Sequence, residues 1–61
     1  MARAMALWRY TMQHPDGSRE SNLLAAGNRN AAVERAERNA AARGARVVEG
    51  PDVVDATRGS M

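Results

Sequence analysis

The sequence predicts a small α+β domain with the element order β-β-α-β, in which a short antiparallel sheet carries one helix packed on one face. Three observations favour this architecture. Polar and apolar residues alternate over residues 6–13, a Pro-Asp-Gly turn follows, and alanines then recur at helical spacing up to Gly44. Because the chain has only 61 residues, we expect a single domain over residues 5–57, with loose termini at 1–4 and 58–61.

The first strand is predicted over residues 6–13. Period-two alternation that includes Trp, Tyr and Thr is typical of a strand with one buried face. The side that we expect to be buried carries Ala6, Trp8, Tyr10 and Met12, and the opposite side carries Leu7, Arg9, Thr11 and Gln13.

A tight turn is predicted at residues 14–18, His-Pro-Asp-Gly-Ser. Proline has a fixed φ that suits the first turn position, and aspartate is compatible with the second position. Glycine readily adopts the positive φ needed where the chain leaves the turn. The chain would return as a second strand over residues 19–26, with an open register because Leu23 and Leu24 cannot both face inward. A helix beginning at Ser21 is the competing interpretation, and the glycine and asparagines after residue 26 favour the hairpin.

The helix is predicted between an asparagine cap and a glycine stop. Asn28 or Asn30 can cap its beginning, and it ends near Arg43 with Gly44 as the left-handed stop. A stripe of small residues lies on one side, which lets the helix approach a sheet closely. This stripe consists of Ala32, Val33, Ala36 and Ala40.

The segment after the helix leaves two interpretations open. Gly50 and Pro51 interrupt a valine-rich stretch, so residues 46–56 form either one bent edge strand or a second small hairpin, since proline cannot donate within a central ladder. The chain has only three leucines, five valines, one tryptophan and one tyrosine, and thirteen of its hydrophobic residues are alanines. We expect an under-filled core, which favours a dimer or a bound partner. The candidate interface pairs this edge across a two-fold axis and uses Val47, Val48, Val53 and Val54.

The residue inventory argues against catalysis and against bound cofactors or metals. The chain has no cysteine and one histidine, so a disulfide, a structural zinc site and a redox site are excluded. His14 lies at the predicted turn with no evident orienting partner, and the chain has neither a nucleophile signature nor a glycine-rich phosphate loop. We therefore expect a non-enzymatic protein.

Charge and hydropathy limit the partners only loosely. All nine basic residues are arginine, and the net charge is +2, which permits attraction to nucleic acid without demanding it. The apolar runs are too short for a membrane span or a signal peptide. We expect a cytoplasmic protein that has no membrane partner and no small-molecule substrate.

The hairpin and the start of the helix carry a family resemblance. The patterns W-R-Y-x-x-x-x-P-D-G-x-R and N-R-N-A-A-V-E-R-A, within Trp8–Gly44, resemble the arm-type N-terminal DNA-binding domain of phage-type tyrosine recombinases. The resemblance implies a phage or mobile-element origin and a sheet whose exposed face enters a DNA groove. It places Arg9, Thr11, Gln13 and Arg19 towards DNA, and Trp8, Tyr10, Leu24 and Ala36 in the core.

Two functions follow as hypotheses. In the first, the protein contacts DNA through the polar face of its hairpin, where arginines bind phosphates and Thr11 and Gln13 meet groove edges. The phosphate-binding residues would be Arg9, Arg19 and Arg29. In the second, it is a protein-interaction module, either a homodimeric accessory protein or an inhibitor that docks on a host protein, and has no nucleic-acid role. An exposed strand face also carries such residues simply because it meets water.

Overall fold

The computed structural model describes residues 5–54 and confirms the α+β fold. The predicted termini at 1–4 and 58–61 and the domain end at residue 57 lie outside the described residues. Both strand pairings are antiparallel, and the strand order is β2-β1-β3. The elements are β1 (Ala6–Gln13), β2 (Arg19–Ala26), α1 (Arg29–Ala42) and β3 (Arg46–Val54).

The turn between β1 and β2 forms as predicted. Gly17 N donates to His14 O at 2.9 Å, and His14 N donates to Ser18 O at 2.8 Å. Gly17 has a φ of 94°, which glycine adopts without steric cost. The Asp16 carboxylate accepts from the backbone and the hydroxyl of Ser18 at 2.9 and 2.7 Å, so the side chain reinforces the turn.

The hairpin register decides which leucine faces inward. Leu24 lies opposite Trp8 and is 8% exposed, whereas Leu23 lies opposite Arg9 and is 55% exposed. Cross-strand partners share a face of the sheet. Leu24 therefore joins the core and Leu23 faces solvent, which resolves the register that the sequence left open.

The core lies between α1 and one face of the sheet. Trp8 Nε1 donates to Ala26 O at 3.1 Å, and Asn39 Nδ2 donates to the Tyr10 hydroxyl at 3.2 Å. Both aromatic polar groups thus have partners, as buried Trp and Tyr normally require. Half of the buried hydrophobic residues are alanines. Because these side chains are small, the helix lies close to the sheet, and the core is filled without many large side chains. The buried hydrophobic residues are Trp8, Tyr10, Met12, Leu24, Ala26, Ala32, Ala36 and Ala40.

The helix ends follow the predicted local signals. The Asn28 side chain accepts from Ala31 N at 2.8 Å, so Asn28 rather than Asn30 is the N-cap. Gly44 follows the last turn with a φ of 72°, the left-handed conformation common after a helix. Val33 is half-buried rather than fully buried.

Residues 46–54 form one irregular strand rather than a second hairpin. The nine residues of β3 run against the seven from Leu7 to Gln13, with register shifts between Arg9 and Thr11 and between Thr11 and Met12. The Gly50–Pro51 bond is cis, and the φ of Gly50 is 80°. A Cβ at Gly50 would lie 2.6 Å from Arg9 O, so β3 approaches β1 more closely there than any other residue allows.

Candidate interaction surface

One face of the sheet is not covered by α1, and we call it the open face. Cross-strand partners point to the same side of a sheet, so the register assigns its members. They are Leu7, Arg9, Thr11 and Gln13 of β1, Arg19, Ser21, Leu23 and Ala25 of β2, and Arg46, Glu49, Asp52 and Val54 of β3.

One end of the open face is apolar. Leu7 lies between its partners Ala25 and Val54, and Leu23 is a diagonal neighbour of Leu7. Leu7 is 40% exposed and Leu23 is 55% exposed. Two of the three leucines in the chain therefore lie outside a core that is built largely from alanine. Solvent exposure of large apolar side chains that form a group is typical of an interaction surface.

The rest of the open face is polar and mixed in charge. In the row nearest the hairpin turn, Gln13 lies between Arg19 and Arg46. Towards the apolar end, Thr11 is opposite Glu49, and Arg9 is opposite Asp52. The ion pairs of residues 5–54 all involve Glu20, so in the described structure these open-face charges have no ion-pair partner. They are available to an external partner.

Four of the five residues predicted to contact DNA share the open face. Arg9, Thr11, Gln13 and Arg19 lie on it at neighbouring positions of β1 and β2. The Thr11 hydroxyl is 2.9 Å from the Ser21 hydroxyl, so part of its hydrogen-bonding capacity is used within the sheet.

Arg29 does not share this face, contrary to its predicted grouping. It lies in the first turn of α1, on the other side of the sheet, with its guanidinium 5.7 Å from the Trp8 ring centroid. Arg29 Nη1 donates to Pro51 O at 3.1 Å. The side chain therefore ties the beginning of α1 to β3 through a cation–π contact and a hydrogen bond.

The four valines of the alternative interface do not share one surface either. β3 is an outer strand, as the edge interpretation requires. Val47 packs against the core, Val54 lies on the open face opposite Leu7, and Val53 lies opposite Trp8 with 55% exposure. Val48 has no partner in β1 because a register shift skips it. The shifts disperse the valines, so β3 does not offer a continuous valine edge.

His14 has a partner that the sequence did not reveal. Its Nε2 lies 2.8 Å from Glu20 Oε1, and Glu20 Oε2 accepts from Arg43 at 2.9 Å and from Asn22 at 3.1 Å. The hydrogen bond from His14, then that from Asn22, holds the pKa of the Glu20 carboxyl below its usual value, and the charge of Arg43 adds to the effect. This cluster joins the hairpin to the end of α1, on the helix side of the sheet.

Other kinds of site receive no support from the part of the chain that is described. Within residues 5–54, no three His, Cys, Asp or Glu side chains come together as a metal site. No helix in that range is long and apolar enough to cross a membrane.

Comparison with known proteins gives no relative: no family model, curated protein or solved structure matches the chain. The resemblance to the recombinase arm domain stays a prediction.

Proposed function

We propose that this protein is a non-enzymatic interaction domain that forms a homodimer through the open face of its sheet. The observation that carries the proposal is that β1 and β3 are complementary to each other along this face. An apolar residue lies opposite an apolar one, a cation opposite an anion, and polar groups opposite charges. The pairs are Leu7 with Val54, Arg9 with Asp52, Thr11 with Glu49, and Gln13 with Arg46.

Complementarity between neighbouring strands becomes self-complementarity under two-fold symmetry. If the axis runs along the strands midway between β1 and β3, it stacks β1 of one copy on β3 of the other. Two sheets packed in this way lie about 10 Å apart. Each side chain then meets the counterpart of its own cross-strand neighbour, so Arg9 faces Asp52 of the second copy and Leu7 faces Val54 of the second copy.

The energetics favour association but limit its strength. Leu7 would lose solvent contact at about 25 cal/mol per Å², and Arg9 and Asp52 would gain partners that they lack within residues 5–54 of one copy. The overlap is two strands wide and about 25 Å long, so it covers roughly 250 Å² of sheet on each copy, which is smaller than the standard specific interface. We therefore expect a weak dimer with a dissociation constant on the order of 100 μM.

DNA binding through the same face is the second candidate. It is favoured by the common placement of Arg9, Arg19 and two polar side chains on this surface. It ranks second because Glu49 and Asp52 share the face and would repel phosphates. Arg29, which was expected to add a phosphate contact, projects from the other side of the sheet.

Sedimentation velocity over about 5–500 μM protein tests the dimer. Arg9→Asp places like charges across the interface, and we expect it to weaken the dimer at least about tenfold. Adding Asp52→Arg restores an attractive pair and should return the affinity to within about threefold of the starting protein. Arg19→Asp is the matched control, because β2 lies outside the overlap. Its dimer should be unchanged to within about twofold.

A titration with random duplex DNA across a salt series separates the second candidate. Three phosphate contacts, from the open-face residues Arg9, Arg19 and Arg46, would give log affinity a slope of about −3 against log salt. Arg9→Ala and Arg19→Ala would then weaken binding alike. A chain that stays monomeric up to about 500 μM contradicts the homodimer. If that chain also binds DNA with the salt dependence given above, DNA binding becomes the preferred function.

A further inference from the structure

The outer edge of β2 is regular, and no other strand of residues 5–54 covers it. All eight of its residues pair one-to-one with β1, from Gln13↔Arg19 to Ala6↔Ala26, without a register shift. β2 contains no proline and no glycine. An edge of this kind offers its free backbone groups to an added strand, whereas bulges and prolines usually protect an edge.

The hydrogen-bond pattern identifies the backbone groups that point outward. His14 N bonds to Ser18 O, so bonded and non-bonded pairs alternate along the hairpin from that point, and the pair Gln13–Arg19 is non-bonded. The N–H and C=O groups of alternate β2 residues are therefore directed away from β1, and none makes a turn or cap bond within the described chain. These residues are Arg19, Ser21, Leu23 and Ala25.

A groove with an excess of positive charge lies beside this edge, on the helix side. Its volume is about 410 Å³, and it is lined by Leu24 of β2 and by Ala31, Glu34, Arg35, Arg38 and Asn39 of α1. Arg35 and Arg38 are exposed, and both ion pairs found between residues 5 and 54 involve Glu20 instead. Two guanidiniums against one carboxylate favour an acidic ligand.

We propose that the β2 edge binds an extended peptide that continues the sheet as a fourth strand. Side chains of a strand alternate between faces. Acidic residues of the peptide would point into the groove towards Arg35 and Arg38, and the intervening apolar residues would lie beside Leu23 on the opposite side. Backbone bonds to β2 supply affinity, and the groove supplies the preference for acidic side chains.

A second copy of β2 fits this edge less well than an acidic peptide does. On the helix side β2 presents Glu20, Asn22, Leu24 and Ala26, so it would offer the groove a single carboxylate. That carboxylate is already bound by His14 and Arg43. In the homodimer proposed above, only β1 and β3 of each copy contact the other copy, and β2 lies outside this contact. The outer edge of β2 would therefore stay accessible in both copies. The inference does not depend on the dimer.

Fluorescence anisotropy with a labelled peptide of about eight alternating valines and glutamates tests the proposal, with the valine–lysine peptide as control. In about 150 mM salt we expect the lysine peptide to bind at least about tenfold more weakly. Leu23→Pro removes an outward N–H without touching the bonds to β1 and should weaken the glutamate peptide at least about tenfold. Leu23→Ala keeps that N–H, so its affinity should stay within about threefold.

Charge reversal provides a second line of evidence. In the variant with Arg35→Glu and Arg38→Glu, the lysine peptide should become the tighter ligand. If circular dichroism shows that Leu23→Pro does not fold, two N-methylated glutamate peptides replace this variant, one methylated at the odd-numbered residues and the other at the even-numbered residues. The peptide whose methyl groups block the N–H groups that face β2 should not bind. Three results overturn the proposal: equal affinity for the glutamate and lysine peptides, binding that neither Leu23→Pro nor N-methylation weakens, or no binding at about 1 mM peptide. Loss of self-association in Leu23→Pro would reassign the edge to a second copy.

Discussion

The two outer strands of the sheet, β2 and β3, flank the same central strand but are built differently. β2 follows β1 in a regular register along its whole length, whereas β3 shifts register twice and contains Gly50 and Pro51. Bulges and prolines twist an edge and remove donors, which discourages further strand addition. Within residues 5–54, the irregular strand is therefore the protected edge, and the regular strand is the one without such protection.

The contacts that hold the two outer strands differ as well. β3 depends on tight backbone packing at Gly50 and on the bond from Arg29 to Pro51. β2 is held by its regular ladder and by side-chain hydrogen bonds at its surface, between the Thr11 and Ser21 hydroxyls and around Glu20. Single changes should therefore release β3 more readily than β2.

The largest effect is expected at Gly50. Gly50→Ala places a Cβ 2.6 Å from Arg9 O in a residue with a φ of 80°, and we expect it to lower the free energy of unfolding by about 2–4 kcal/mol. Urea denaturation of dilute protein measures the change. Gly27→Ala is the control just after β2, because a Cβ there would meet no atom within 4 Å apart from its own residue and chain neighbours, and it should stay within about 1 kcal/mol. Equal stability of the two variants would refute the asymmetry.

Arg29→Ala is expected to have the next largest effect. It removes the contact with the Trp8 ring and the bond to Pro51 O, and the loss should be about 1–2 kcal/mol. Hydrogen exchange should accelerate in β3 more than in β2. Arg35→Ala, an exposed position on the same helix, serves as the control and should change stability by less than about 0.5 kcal/mol. Uniform acceleration of both strands would contradict a local tie to β3.

The same asymmetry explains how much of the fold the sequence could predict. β1, the turn and α1 follow local signals: alternation around Trp8, the glycine at residue 17, the cap at Asn28 and the stop at Gly44. Each signal acts within a few residues, so it can be read in order along the chain. The path of β3 depends on how closely its backbone approaches Arg9, a contact between distant residues, so the sequence left two interpretations open.

The candidate surface divides in the same way. Alternation along β1 correctly groups Arg9 with Thr11 and Gln13, because a strand repeats every two residues. The acids that lie across from them, Glu49 and Asp52, join only through the shifted register of β3. Their presence changes a surface that looked basic into one of mixed charge, and for this reason our proposal ranks a protein partner above DNA.

A smaller effect is expected where β1 and β2 meet on the open face. Ser21→Ala removes the partner of the Thr11 hydroxyl, and since both groups are exposed to water we expect a loss of about 0.2–1 kcal/mol. A double-mutant cycle with Thr11→Val, measured by urea denaturation at low protein concentration, isolates the pair. A coupling energy of about zero would show that this hydrogen bond does not stabilise the β2 ladder.

The smallest effect is expected from the Glu20 cluster, and it depends on pH. The pKa of Glu20 is held below its usual value near 4.5 by His14, Asn22 and Arg43, so the folded state favours the carboxylate. The resulting stability is present above the usual pKa and is lost as the pH falls through the lowered pKa of the folded state. Exposure and salt limit its size. Thermal unfolding between about pH 7 and pH 2 should show a shallower acid loss in Glu20→Gln than in the starting protein.

The Asp16 carboxyl complicates that profile, because the hydrogen bonds from Ser18 also lower its pKa below the usual value of 3.8. Asp16→Asn removes this second contribution but leaves the cluster that joins β2 to the end of α1 intact. If the cluster stabilises the hairpin, Glu20→Gln and Asp16→Asn should flatten the acid profile independently and together should flatten it most. A profile that only Asp16→Asn changes would assign the acid sensitivity to the turn and would leave β2 anchored by its backbone ladder.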